Sequence, residues 1–378
     1  MKFFKKFKKE VGQDDCMNFA LKYMRIILAD PNKSKDWHFY LALIIFFALS
    51  LSQYYLVILL FFHLEGSVDN LSNAAQSFTS YFQTFLNIYP LIVYRKTLGK
   101  LFRNRAMFWK CDDDPESSKE LKETYTNTYR NLSVVFMFVV STEMAMLIKP
   151  FFVRELLVAL YIPPYPYAYE ILLVFQSLFS MLLATTFFAV NATCISLFAD
   201  AIAQFQVLNH NVRNIRRIEN SDEMSELKRC LKYHTFLLDL VSDIQRIYSI
   251  PLFGQYLMTI GATCMNLYML TSNVGSTGNK FLSTSYICMM NLLFALYCFL
   301  ATSLGVAIEE LPNSFYFNNW EDGSKEFRKS MVMCIVAAQK EFVFKAGGLT
   351  EIYRGAITAV FKTTYSFLLI MQNMKAQK

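Results

Sequence analysis

The sequence predicts an all-α polytopic membrane protein. It has seven transmembrane helices, a cytoplasmic N-terminus, an extracellular C-terminus and long helical extensions on the cytoplasmic side. Three observations predict it. Apolar residues make up 54% of the chain and aromatics 16%, with a mean hydropathy of +0.28. The charged residues, 18%, fall in blocks, as separate spanning and solvated segments require. The 37 Lys and Arg also divide unevenly: Lys149, Arg154, Lys280, Lys375 and Lys378 fall on one side, Lys362 within the last helix, and the others on the side of the N-terminus. Positive charge is retained in the cytoplasm, which places the N-terminus inside.

The length of 378 residues fits one polytopic domain, 1–378. No secretory signal peptide is expected, because the first apolar run begins only near Trp37 and is too long for one. In Met1 to Asp36, Phe3, Phe4, Phe7 and Val11 share a helical face. Lys2, Lys5, Lys6, Lys8 and Lys9 surround it, a pattern suited to an anionic leaflet rather than to nucleic acid.

His38 to Phe62 is the first span, and Leu71 to Tyr94 the second. Both are uncharged, and Asn73, Gln76, Gln83 and Asn87 give the second a partly polar face. Arg95 to Arg130 is a solvated connection, broken at Asp112-Asp113-Asp114-Pro115 and helical in its second half. The third span, Asn131 to Ile148, carries Glu143 near its middle. A carboxylate at that depth must face the bundle interior, paired or protonated, and Lys362 is a candidate partner. Lys149 to Glu170 is a loop stiffened by Pro163, Pro164 and Pro166, able to cover a pocket or simply to connect.

Neither Gly nor Pro occurs from Tyr167 to Ile250. The fourth span, Ile171 to Ala199, is therefore free to continue as helix through Asp200 to Ile218. A second helix from about Ser221 runs into the fifth span, Ile247 to Ser272. Phe281 to Ile308 is the sixth span, followed by a polar break from Glu309 to Asp322. Ser324 to Lys345 reads as a membrane-flanking helix. Gly347-Gly348 ends it, and Leu349 to Gln372 is the last helix, about 36 Å long at about 1.5 Å per residue.

That last helix is unusual. Glu351, Arg354, Thr358, Lys362, Tyr365, Leu369 and Gln372 follow at steps of three and four, a mostly polar stripe along one face. Lipid does not tolerate such a face, which leaves a pore-lining helix or one packed against other protein.

Cys16, Cys111, Cys230 and Cys334 fall in cytoplasmic segments and Cys194, Cys264, Cys288 and Cys298 within spans, so no extracellular disulfide is expected. Catalysis has little support. There is no Gly-rich phosphate loop, no HExxH and no CxxC, and His38, His63, His210 and His234 are widely spaced; His210 and His234 read as solvated. No cofactor or metal is implied. A secondary transporter would use Glu143 and Lys362 as a relay, but no pair of short broken spans recurs in the two halves. The inverted orientation opposes a metabotropic seven-helix receptor.

Four stretches together carry a resemblance: Ala295 to Leu311 (ALYCFLATSLGVAIEEL), Asn319-Trp320, Lys345-Ala346-Gly347-Gly348, and Phe361 to Leu369 (FKTTYSFLL). They resemble the C-terminal signature of insect odorant receptors, and gustatory receptors share the fold and part of the motif. The resemblance implies a ligand-tuning subunit of an odorant-gated, non-selective cation channel, a hetero-tetramer with the shared co-receptor, Orco, in the plasma membrane of olfactory sensory dendrites. It passes monovalent and divalent cations. The connection between spans four and five is too short for the co-receptor itself.

The resemblance further implies that residues 200–246 and 309–348 form the cytoplasmic anchor and 349–372 the pore-lining helix. Thr358, Lys362, Tyr365, Leu369 and Gln372 then lie on the pore face, with Leu369 as an apolar gate and Leu368 or Ile370 as the neighbouring choices. The odorant is implied to sit in the outer half of the bundle, among spans two, three, four and six. Those faces offer Phe78, Tyr81, Phe82 and Phe85; Met144 and Ile148; Phe175 and Phe179; and Met290 and Phe294. They suit a small neutral apolar or aromatic volatile.

Overall fold

The computed structural model describes residues 12–33, 35–63, 82–83, 85–110, 115–152, 154, 156–158, 160–215, 222–271, 277–339 and 341–376. In chain order the elements are α1 (Gln13–Ile26), α2 (Asp36–His63), α3 (85–93, with 82 and 83 also helical) and α4 (Arg95–Asn104). They continue with α5 (Pro115–Phe152), α6 (Ala168–Arg213), α7 (Glu223–Thr271), α8 (Thr277–Glu309), α9 (Leu311–Tyr316) and α10 (Lys325–Ala338). The chain closes with β1 (Phe344–Ala346), β2 (Thr350–Ile352) and α11 (Arg354–Ala376). Among the described residues, α2, α5, α6 and α8 are long and apolar enough to cross a membrane.

Helix α6 is the axis of the fold. With no Gly or Pro to stop it, it runs for 46 residues, and every residue from Phe188 to Phe205 is buried. A helix covered on all sides belongs at the centre of a bundle. Helices α1, α5, α7, α8 and α9 pack around it. Its partner α7 is longer still, at 49 residues, and contains Pro251, whose missing N–H interrupts the helical ladder.

One half of the bundle is tied down by polar contacts. Arg105 lies between α4 and α5, and its Nε donates to Asp200 Oδ2 of α6 at 2.8 Å. The same guanidinium reaches Asp14 at 3.3 Å and the carbonyl of Gln13, which fixes α1. The Tyr125 hydroxyl of α5 donates to the other oxygen of Asp200 at 3.1 Å. Burial pushes the Cys16 thiol of α1 up to about 12, so it stays protonated and donates to the Tyr125 carbonyl. Nearby, Trp109 stacks on Tyr233 at 3.9 Å, and the Trp109 amide donates to Gln204 Oε1 of α6.

The structure departs from the expected elements near the end of the chain. The predicted helix over Ser324 to Lys345 stops at Ala338, and β1 and β2 form a hairpin pairing Phe344 with Ile352 and Ala346 with Thr350. Gly347 and Gly348, with φ of +61° and +71°, make its turn in the left-handed region that glycine adopts without penalty. The Gly347 amide donates to the Ser249 carbonyl of α7 at 3.0 Å, and a Cβ there would meet Phe253 Cγ at 2.8 Å. Phe344 is buried against Phe198 of α6, with ring centroids 5.1 Å apart. The last helix therefore begins at Arg354 rather than Leu349, and Glu351 lies in a strand, outside the helical stripe.

Candidate functional site

A cavity of about 150 Å³ opens in the bundle where four spans meet. Gln83 and Asn87 of the second span line it, with Val139, Thr142, Glu143 and Met146 of α5. From α6 come Gln176, Phe179, Ser180, Leu183, Ala184 and Phe187, and from α8 come Tyr286, Met289 and Met290. Leu157 and Val158 of the loop before α6 close one side. Most of this wall is apolar or aromatic, with a few placed polar groups, the composition of a small-molecule pocket.

Helical phase decides which side chains reach it. Along α5, residues 139, 142, 143 and 146 share one face, and 140, 144 and 148 share the next. Met144 and Ile148, expected at the ligand, are therefore exposed on the outer surface; Met144 lines a second hollow of about 280 Å³ with Tyr23, Phe136 and Met181. Along α6, Gln176, Phe179, Ser180, Leu183 and Phe187 face inward at helical spacing. Phe175 sits one step off that face, its ring parallel to Phe179 at 6.4 Å.

Of the ten residues expected at the ligand, Phe179 and Met290 line the cavity. Phe82 is exposed, and Phe85 stacks on Phe47 and packs on Tyr54 of the first span. Phe294 is buried one turn further in, against Tyr256. Phe78 and Tyr81 lie outside the described residues. Reading by residue type overlooked Thr142, Gln176, Ser180 and Tyr286. The signal available for them was polarity inside an apolar span, the signal that did single out Gln83, Asn87 and Glu143.

Several of the polar groups have an identifiable holder. Ser180 Oγ donates to Glu143 Oε1 at 2.6 Å, so the partner of that carboxyl group is Ser180 and not Lys362, which is exposed on α11. Thr142 Oγ1 and Ser285 Oγ are 3.2 Å apart, joining α5 to α8. Gln176 Nε2 donates to the Val158 carbonyl at 2.9 Å, which pins the loop across the cavity. Leu157 and Val158, rather than the proline stretch, line the cavity from this loop. Gly254 of α7 lets Leu86 approach so closely that a Cβ there would lie 2.3 Å from Leu86 Cδ1. That approach brings Gln83 Nε2 to 2.7 Å from Gln255 Oε1.

On the last helix, Ala356, Val360, Thr364 and Leu368 recur every four residues and are buried against the body of the chain. Thr358, Lys362, Tyr365, Leu369 and Gln372 are exposed, as is Ile370. Leu368 thus faces the chain's own core, away from the exposed stripe.

Comparison with known proteins places this geometry. The sequence profile described as 7tm Odorant receptor matches residues 64–365. Odorant receptor 82a of Drosophila melanogaster is 25% identical over 180 residues, 47% of each chain. Odorant receptor Or2 of Anopheles gambiae is 24% identical over 155 residues, 40% of this chain and 39% of that one. These matches span less than half the length of the relatives. The fold extends further: the olfactory receptor OR5 of Machilis hrabei in complex with eugenol superposes with a TM-score of 0.83 at 12% identity, over 96% of this chain and 99% of that one. Its structure without the ligand gives 0.80. This is the polytopic seven-helix fold of a receptor family rather than of an enzyme, and the chain belongs to the 7tm odorant receptor family.

Proposed function

We propose that this chain is the odorant-binding subunit of a heteromeric odorant-gated cation channel, assembled as a tetramer with the odorant receptor co-receptor in the plasma membrane of olfactory dendrites. The N-terminus is cytoplasmic. A small neutral volatile enters the cavity among spans two, three, four and six, and α11 lines the pore for monovalent and divalent cations.

The observation that carries this reading is the division of α11 into a covered and an uncovered face. Lys362, Tyr365 and Gln372 are exposed on a helix that this reading sets across the membrane, and lipid is a poor solvent for them. Water or a neighbouring subunit is the surrounding that satisfies them. The OR5 complex with eugenol, a protein of the same fold holding a small aromatic molecule, supports the reading of the chain as a receptor for a volatile.

Gating follows from linkage: a ligand shifts the equilibrium only by its differential affinity for closed and open bundles. The cavity touches α6 and α8, and α11 packs on α8 and α7, so a ligand that spreads the outer bundle moves the support of α11. The test is whole-cell current from cells expressing the chain with and without the co-receptor, challenged with neutral volatiles under G-protein block. A fast cation current needing both subunits is expected; a response abolished by the block overturns the channel reading.

A further inference from the structure

We propose that the cavity selects a hydroxyl-bearing volatile, an aliphatic or aromatic alcohol, through the side-chain oxygen of Gln83. The proposal rests on the reading of this cavity as the odorant site and names the chemistry it takes.

The orientation of the Gln83 amide is fixed by a chain of hydrogen bonds. Thr259 Oγ1 donates its single hydrogen to the Gln255 carbonyl at 2.7 Å, so the same oxygen is an acceptor towards its other neighbour. Gln255 Nε2 donates to it at 3.3 Å, which turns Gln255 Oε1 towards Gln83. Gln83 must then present Nε2 to that oxygen, at 2.7 Å. Its own Oε1 is left buried with no hydrogen-bond partner, on a residue that is 5% exposed and lines the cavity. Reversing either amide would set oxygen against oxygen or nitrogen against nitrogen.

Three other polar side chains in the wall are already committed. Gln176 exchanges bonds with the Val158 backbone, Ser180 spends its hydrogen on Glu143, and Thr142 and Ser285 serve each other. A buried acceptor without a donor is costly, and a ligand that supplies the hydrogen recovers that cost. A neutral hydroxyl does so at far lower desolvation cost than an ammonium group in a mostly apolar cavity.

Isomeric pairs test it directly: benzyl alcohol against anisole and n-hexanol against methyl pentyl ether, compared by concentration–response in cells expressing the chain with the co-receptor. Thermal stabilisation of the purified full chain by the same compounds provides a second readout. Each alcohol is expected to be more potent than its isomer by about fivefold or more, the scale of one buried hydrogen bond. Gln83→Leu is expected to collapse the gap by weakening the alcohol alone. Ethers as potent as the alcohols, in responses that Ala184→Phe still abolishes by filling the cavity, overturn the proposal and leave the cavity reading standing. Responses that survive Ala184→Phe, or silence and absence of binding across the panel, remove the cavity reading and the proposal with it. Where Gln83→Leu fails to reach the surface, the comparison of isomers on the unaltered chain decides alone.

Discussion

Helices α6 and α11 are both long and both carry polar residues among apolar ones, yet these meet opposite fates. In α6 the polar groups turn into the chain's own structure: Asn191 accepts from the Tyr297 hydroxyl, Ser180 donates to Glu143, and Asp200 holds Arg105 and Tyr125. In α11 adjacent residues part company, with Thr364 at 2% exposure and Tyr365 at 62%. A polar residue in a spanning helix is therefore no pore signal by itself. What separates the two helices is whether the same chain supplies the partner.

The comparison can be broken most severely on the α6 side. Arg105→Met leaves the Asp200 carboxyl group buried without its cation, and removing one member of a buried pair costs about 3–5 kcal/mol. Surface expression and the thermal unfolding midpoint of the purified chain should both fall sharply. The double variant Arg105→Met with Asp200→Leu should recover most of the loss, because no lone charge remains. A single variant as stable as the unaltered protein would show that the C-terminal half of α6 is not held by this pair.

Next in size is the hinge between the two regimes. Gly347→Ala places a side chain both at a left-handed backbone position and against Phe253, whereas a Cβ at Gly348 meets open space. Backbone strain of this kind is on the order of 1–3 kcal/mol. Gly347→Ala should therefore reduce surface expression or agonist-evoked current more than Gly348→Ala. Equal effects would mean that the docking of the hairpin on α7 contributes nothing beyond the turn.

On the uncovered side the expectation reverses, with little change in stability and a large change in function. Leu369→Ser alters an exposed side chain, so the stability of the isolated chain should move by less than about 0.5 kcal/mol. In the proposed channel a polar residue at the expected apolar constriction resists dewetting, and basal current should rise or ion selectivity change. Leu368→Ser should do the opposite, destabilising the chain because that residue faces the core. If both variants leave basal current and selectivity untouched, the constriction lies elsewhere.

The same contrast explains how much the sequence disclosed. Long apolar runs and the stretch without Gly or Pro made the spans and the 46- and 49-residue helices legible, because those features are local. The hairpin was not legible. Three-residue strands carry almost no periodicity, and Gly347-Gly348 reads as a break until Ser249 and Phe253 are seen to receive it. Of the residues expected at the ligand, Phe179 and Met290 line the cavity, whereas helical phase turns Met144 and Ile148 away from it. Met144 and Glu143 are neighbours in sequence, and only packing against α6 and α8 decides which of them faces inward. Polar residues were the better guide, since in lipid they have few other places to go.

A still smaller change is expected where α7 borders the C-terminal half of the α6 core. His234 of α7, expected to be solvated, is instead half-buried with its ring 6.3 Å from Phe205 of α6, and desolvation lowers its pKa from the ordinary value of 6.5. The unfolded chain therefore takes up this proton at a higher pH than the folded one. Folded stability from the neutral ring is fully present above about pH 6.5, declines as pH falls below it, and levels off once the folded form also binds the proton. His234→Gln removes the titration while keeping a polar side chain. The drop in unfolding midpoint between about pH 7.5 and about pH 5.5 should accordingly be smaller in the variant than in the unaltered chain. Parallel pH dependence in the two would show that the ring is as well solvated at the edge of the core as in the unfolded state, and that the buried surround of α6 ends before it reaches α7 at this level.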